Sequence, residues 1–459
     1  MFSIAFSRRC WFRSFLRIGT SRPVAVGGLL LACMLITGCS SSNDTLGAKA
    51  TAQAANDEQA LPIDDNLKNK LDDVVSYTQK RRMEAGVNNA WQIVHGILAY
   101  GRDLEIKAGG KVVPALDYLL EGGQLRGWTL RPGSHGVEAI VESGTKAGQG
   151  HKDQWIGYMS LIGLPPDQKI IVQEREFTLG DMLTQAQWEV VDGMEASWTV
   201  MALSSYLSPL STPWTASNGK EWTLEQLMAM EAAQDLAESP CGGTHRLYGL
   251  SMALNNYLAE RAANGDTSPL AGGWAAADKK IKDSIELAKK HQQPDGTFST
   301  QFFIRPATSP DIAVQLHATG HTFEFLTMSL SDAQLREPWM VRAADSLCRL
   351  FDETRSMELE CGALYHAAHG LILYRQRLFG PMPPFTPTSG GDAAVATDAP
   401  PAATESTTDG AAPEGGTAAT PETPTATKTA PVSETPANGD ATAPAQNETA
   451  DSGTGAPRS

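Results

Sequence analysis

Six stretches of this chain are apolar on nearly every side, and each follows a stretch that is apolar on one side only. "HGILAYG", "WTVMALSSYL", "RLYGLSMALNNYL" and "HGLILY" belong to the first kind. A helix with no polar face has to be buried all round. "DKKIKDSIELAKKHQ" belongs to the second kind: Ile281, Ile285 and Ala288 share one stripe, with Lys279, Lys282 and Lys289 elsewhere. "TLEQLMAMEAAQDLAE" repeats the pattern with Leu224, Leu227 and Met228. The two kinds alternate. The spacing predicts outer and inner helices at 66–82 and 87–101, 111–121 and 151–163, 178–190 and 193–208, 223–238 and 243–262, 275–293 and 311–330, and 334–355 and 360–379. Strand-like alternation is scarce. Gly96, Gly249, Gly320 and Gly370 fall inside predicted inner helices. Each costs about 1 kcal/mol against alanine there, which predicts close packing between neighbouring helices.

Six apolar helices sheathed by six amphipathic ones predict an all-α domain, a closed α/α toroid of about six helical hairpins. An open solenoid is the competing geometry. "VHGILAYG" and "AHGLILYR" share His-Gly, two aliphatics and a tyrosine, and "PCGGTHRLYGL" and "ECGALYHAAHGL" share Cys-Gly and a later Gly-Leu, as repeated units would.

The domain occupies 61–380 of the 459 residues. Five arginines (Arg8, Arg9, Arg13, Arg17, Arg22) precede an apolar run that ends in "LITGC". That ending resembles the lipobox of bacterial lipoproteins. It implies a signal peptide over 1–38, cleavage before Cys39, and a lipid anchor on Cys39. Ser40 after the cysteine implies delivery to the outer membrane, on its periplasmic face. "SRRCWFR" is similar to a twin-arginine export motif and equally to a plain basic leader. Residues 39–60 read as a flexible tether. Residues 381–459 are rich in Ala, Thr, Pro and Glu and hold almost nothing that fills a core, so a disordered tail is expected. The net charge is −15 and no basic patch stands out in the middle of the chain, which argues against nucleic acid as a partner. The expected contacts are the membrane through lipid, and a small-molecule or envelope-polymer ligand.

One loop resembles a known family. "QQPDGTF", Gln292 to Phe298, is similar to the Gln-x-x-Asp-Gly-x-Phe/Trp repeat of the terpenoid cyclase and protein prenyltransferase superfamily, whose fold is an α/α toroid. Locally, Gln292 braces the turn, Pro294 and Asp295 start it, Gly296 supplies the permissive backbone, and the aromatic packs under the next helix. The likeness implies fold and not activity, because the Asp-x-Asp-Asp motif of the cyclases and the zinc-ligand pattern of the prenyltransferases are missing. The lanthipeptide cyclases share the toroid and carry a Cys-Cys-His zinc site, but their spacing is not reproduced either.

Candidate chemistry follows from position. Of nine histidines, His95, His151, His245, His317, His321, His366 and His369 fall on or at the start of predicted inner helices, and Glu195 takes that place in the third hairpin. In a closed ring they gather at one mouth of a central cavity and line it. Cys241 and Cys361 precede the fourth and sixth inner helices. Thiolate and imidazole suit zinc, so Cys241, Cys361, His245 and His366 form a candidate metal set, with His317 and His321 as rivals. A Cys241–Cys361 disulfide and a plain cavity-lining role are the other readings. Glu138, Asp153, Glu195 and Glu324 are candidate carboxylates for a polysaccharide lyase or hydrolase on an α/α barrel. The glycine-rich stretch 122–150 reads as a lid or a solvated connector. Three functions remain: a ligand-binding or enzymatic cavity, a polysaccharide-degrading site, and a non-catalytic scaffold for protein contacts.

Overall fold

The computed structural model describes residues 63–382, apart from 143, 211 and 212. These residues belong to the first of two units, Met1–Pro400; the second, Pro401–Ser459, lies outside them. The signal peptide, Cys39, the tether and the tail expected beyond 382 also lie outside the described residues.

The chain is helix-rich. Thirteen α-helices are found among the described residues. Six carry the apolar stretches: α2 (Ala90–Tyr100), α4 (Gln154–Leu161), α6 (Ser197–Tyr206), α8 (Thr244–Ala263), α10 (Ile312–Ser329) and α13 (Cys361–Phe379). The amphipathic partners are α1 (Asp65–Gln79), α3 (Ala115–Leu120), α5 (Leu179–Trp188), α7 (Leu224–Ala233), α9 (Gly272–His291) and α12 (Pro338–Glu353), with a one-turn helix α11 (Asp332–Leu335) ahead of the last. Burial follows the pattern. Cys361 to Ile372 of α13 are all buried, whereas α9 buries only one face, through Trp274, Ala277, Ile281, Ser284, Ala288 and His291.

Each apolar helix packs on the next. α2 lies against α4, α4 against α6, α6 against α8, α8 against α10, and α10 against α13, and α13 packs back on α2. Ion pairs also tie the first amphipathic helix to the last hairpin. Arg375 of α13 donates through Nε to Asp72 of α1 at 2.7 Å, and its Nη1 donates to the Gly380 carbonyl at 2.6 Å. Buried Arg81 donates to the Thr354 carbonyl at 3.1 Å.

One helix crossing depends on two missing side chains. A Cβ at Gly320 of α10 would lie 2.5 Å from the Ala367 Cβ and 2.9 Å from its Cα. A Cβ at Gly370 of α13 would lie 3.1 Å from both the Cα and the N of Glu324. The α10 and α13 backbones therefore touch with no side chain between them.

The loop at Gln292 behaves as its residues require. Gln292 Nε2 donates to the Gly296 carbonyl at 3.0 Å and to the Trp339 carbonyl of α12 at 2.8 Å. Asp295 accepts from the Thr297 hydroxyl at 2.8 Å. Gly296 sits at φ 90°, where a Cβ would lie 2.6 Å from the Arg342 carbonyl oxygen. Phe298 is buried, edge-on to Trp339.

The expectation of a purely helical domain needs correction. Nine short strands form four small sheets among the described residues. β1 (Met83–Glu84) runs parallel to β2 (Glu105–Ala108), which pairs antiparallel with β3 (Lys111–Pro114). Antiparallel hairpins also join β4 (Trp128–Pro132) to β5 (Val137–Val141), β6 (Lys169–Val172) to β7 (Arg175–Thr178), and β8 (Trp214–Thr215) to β9 (Glu221–Trp222). Strands of two to five residues are too short for alternation to register. The stretch 122–150 is accordingly not a free loop. Its hairpin β4–β5 is held on α5, where His135 stacks on Trp188 at 3.7 Å and its N–H donates to Gln185 at 2.8 Å.

The crossing of α10 and α13 gives a direct prediction. Gly320→Val should lower unfolding free energy by about 1–3 kcal/mol through overpacking, read as a drop in the chemical-denaturation midpoint. Unchanged stability would mean that the two helices are not in backbone contact there.

Candidate functional site

The site draws its side chains from the starts and middles of the apolar helices, Glu324 from beyond the midpoint of α10. Glu360 starts α13 by accepting from the Gly362 and Ala363 amides, each at 2.7 Å. Two turns of helix then carry His366 and His369, three residues apart and so on adjoining faces. The contact at Gly370 brings Glu324 of α10 alongside. Its Oε2 accepts from His366 Nδ1 at 2.7 Å and its Oε1 from His369 Nδ1 at 2.5 Å. Burial opposes ionisation of Glu324, yet the two imidazoles carry its pKa down to about 2. A carboxylate in that state is acceptor only, so Nδ1 of both rings must hold the hydrogen.

Similar logic fixes His95 and His321. His95 Nδ1 is 2.6 Å from the Trp91 carbonyl oxygen, and His321 Nδ1 is 2.8 Å from that of His317. A carbonyl only accepts, so each Nδ1 is the donor and each Nε2 presents a lone pair. The Tyr158 hydroxyl of α4 meets the His95 lone pair at 3.0 Å and lies 3.4 Å from His366 Nε2. It accepts in turn from Gln154 Nε2 at 3.1 Å. His151, just before α4, pairs through Nδ1 with Glu195 Oε2 at 2.9 Å.

The rings touch. His321 lies 4.2 Å, centroid to centroid, from both His366 and His317. His245 is 4.9 Å from His366, 5.3 Å from His321 and 5.7 Å from His151. His95 is 5.0 Å from His366. Burial, and then the neighbouring His366, hold His95, His245 and His321 well below the usual imidazole pKa, and hold His317 at about 4. These four rings are neutral near pH 7. His245 differs from the others in one respect: neither of its buried ring nitrogens has a hydrogen-bond partner among the described residues. Such a group costs free energy unless something meets it.

Cys241 reaches the cluster from a short 3-10 turn, Pro240–Gly243, that precedes α8. Cys241, Gly242 and Gly243 all have left-handed backbones, at φ 51°, 62° and 77°. For the cysteine that conformation costs about 1–2 kcal/mol. The turn swings the chain so that the thiol arrives beside His245. The Cys241 Sγ and one nitrogen each of His245 and His321 lie within 4.8 Å of one another. Burial, reinforced by the Glu360, Glu195 and Glu324 carboxylates, pushes the thiol up to about 12. The starts of α6 and α8 are pinned by one buried ion pair. Glu231 accepts from the Ala196 amide at 2.8 Å, from the Ser197 hydroxyl at 2.9 Å and from Arg246, the residue after His245.

The structure thus brings together His95, His151, Glu195, His245, His317, His321, His366, His369 and Cys241. Cys361 is buried at the start of α13 and is not part of the group that can hold an ion. His366 is also outside that group, and His321 is inside it. No disulfide joins Cys241, Cys348 or Cys361 among the described residues, so the alternative reading of a Cys241–Cys361 bridge is not met. Glu138 pairs with Arg131 at 2.7 Å on the β4–β5 hairpin, and Asp153 accepts from the Thr199 hydroxyl at 2.6 Å. Glu195 and Glu324 are each engaged by histidine, which leaves no two of the four carboxylates in one hydrogen-bonded pair. Sequence reasoning missed Tyr158 and Gln154; a tyrosine four residues after a glutamine on an apolar helix was their one legible signal.

The side chains grade from rim to interior. Cys241, His151 and His317 are half-buried; His95, His321 and His366 are buried almost completely. A polar cleft of about 260 Å3 lies alongside, lined in part by Glu195, Asp235, Glu238, Pro240 and Arg246. Glu195 and Pro240 connect its wall to His151 and Cys241. No family model matches this chain, and no curated protein or solved structure is significantly similar to it.

Proposed function

We propose that this is a lipid-anchored protein of the bacterial cell envelope, on the periplasmic face of the outer membrane. Its domain is a closed α/α toroid, and a His- and Cys-lined central cavity binds a ligand or holds an enzyme site. The anchor rests on "LITGC" and Cys39. Among the described residues no helix is long and apolar enough to cross a membrane. Toroid closure is supported by the packing of α13 on α2 and by the ties from α1 to the last hairpin.

One observation carries the cavity reading. His321 holds its hydrogen on Nδ1 through a bond to its own helix, which leaves Nε2 as an acceptor with a lone pair to offer; His95 is held the same way, and its Nε2 meets the Tyr158 hydroxyl. Orienting imidazoles through one nitrogen while the other stays available is how proteins present them to ligands and reacting groups.

Replacing Cys39 with serine should release the protein into the soluble fraction on detergent-free fractionation; retention in the membrane fraction would contradict the anchor. The cavity is tested by carbethoxylation with diethyl pyrocarbonate and peptide mapping. Exposed His135 should react first and buried His291 only on unfolding. His151 and His317 should react in the folded protein, well ahead of His291. If both are as slow as His291, the interior is sealed and a non-catalytic scaffold is the better reading.

A further inference from the structure

We infer that this cavity binds one divalent transition-metal ion, zinc above all, through Cys241 Sγ and one ring nitrogen each of His245 and His321. The inference rests on the cavity reading and names its ligand.

Three features converge. The three donor atoms already lie within 4.8 Å of one another and come from two helices and a turn. Tetrahedral zinc with Zn–N near 2.0 Å and Zn–S near 2.3 Å places its ligand atoms roughly 3.3–3.7 Å apart, so the set has to close by about 1 Å. The parts that must move are the ones free to do so. His245 has no hydrogen bond on either nitrogen to hold its ring, and Cys241 is followed by Gly242 and Gly243. His321 is the fixed member, because its Nδ1 is bonded to its own helix and its Nε2 is the remaining donor. That outer bond is the arrangement that orients metal-ligating imidazoles.

The second feature is His245 itself, a fully buried imidazole with both nitrogens unmet, 5.3 Å from the His321 ring. An ion meets one of them. Binding converts the Cys241 thiol to a metal thiolate, and its proton leaves to the buffer, one per ion bound. The third is donor type. One thiolate and two imidazoles suit zinc and its neighbours far better than magnesium or calcium. Three protein donors leave a fourth position for water or a ligand, on the side that carries half-buried Cys241.

The test uses the full chain, stripped with chelator and then dialysed against zinc, with metal measured by elemental analysis. One zinc per chain is expected. Cobalt(II) in its place should give a thiolate-to-metal charge-transfer band in the near ultraviolet. Cys241→Ser should abolish the band and weaken zinc binding by about 100-fold or more, with the helical circular dichroism retained. Cys361→Ala should keep both band and affinity. Wild-type protein that takes up no zinc, or a band that survives Cys241→Ser and vanishes in Cys361→Ala, would overturn the assignment. Reaction of His151 and His317 with diethyl pyrocarbonate in a protein that binds no zinc would remove the metal and leave the cavity.

Discussion

The buried carboxylate of Glu324 is the interaction on which the rest of the site depends. A carboxylate taken out of water is costly unless it is paired and hydrogen-bonded. Here both oxygens are met by imidazole N–H groups, from His366 and His369. The pairing works only because α10 and α13 approach backbone to backbone. Gly320 against Ala367, and Gly370 against Glu324, remove the side chains that would hold the helices apart. Two helix-interior glycines, unfavourable by propensity, thus create a close contact between apolar helices and place an ionised group inside it.

From that fixed point the geometry spreads outward. His366, oriented by Glu324, sets the ring against which His321, His245 and His95 pack. Its Nε2 shares the Tyr158 hydroxyl with His95. Burial, and then the neighbouring His366, keeps the adjoining imidazoles neutral. Neutral imidazoles retain a lone pair, and a lone pair is what a metal, a proton or a ligand donor requires. The ion pair of Glu231 with Arg246 does the matching work at the other side, holding the start of α8 so that Cys241 and His245 face the same ring system.

Much of the architecture was legible because its signal is long. Helices such as α9 and α12 run for 20 and 16 residues, so one-sided burial repeats often enough to be read. The short β-hairpins escaped for the opposite reason. Gly109-Gly110 between β2 and β3, both left-handed, is a two-residue hairpin signal that was present and overlooked. Gln173-Glu174 adopts the same positive-φ pair with no glycine to announce it. At the site, sequence position alone placed the histidines at one end of the apolar helices. It could not choose between Cys241 and Cys361, whose local sequences resemble each other. The choice depends on the left-handed turn Pro240–Gly243, against the direct helical start at Cys361. Tyr158 and the pairing of Glu324 with two histidines depend on which helices are neighbours, and that is a property of the fold alone.

His95 and His321 are held with Nδ1 protonated and Nε2 carrying the lone pair. Nitrogen NMR of metal-free protein carrying isotopically labelled histidine, assigned through single His→Gln variants, reads this directly. The account predicts Nδ1–H tautomers with unprotonated Nε2 for His95 and His321 at neutral pH. Nε2–H tautomers at those two residues would contradict it.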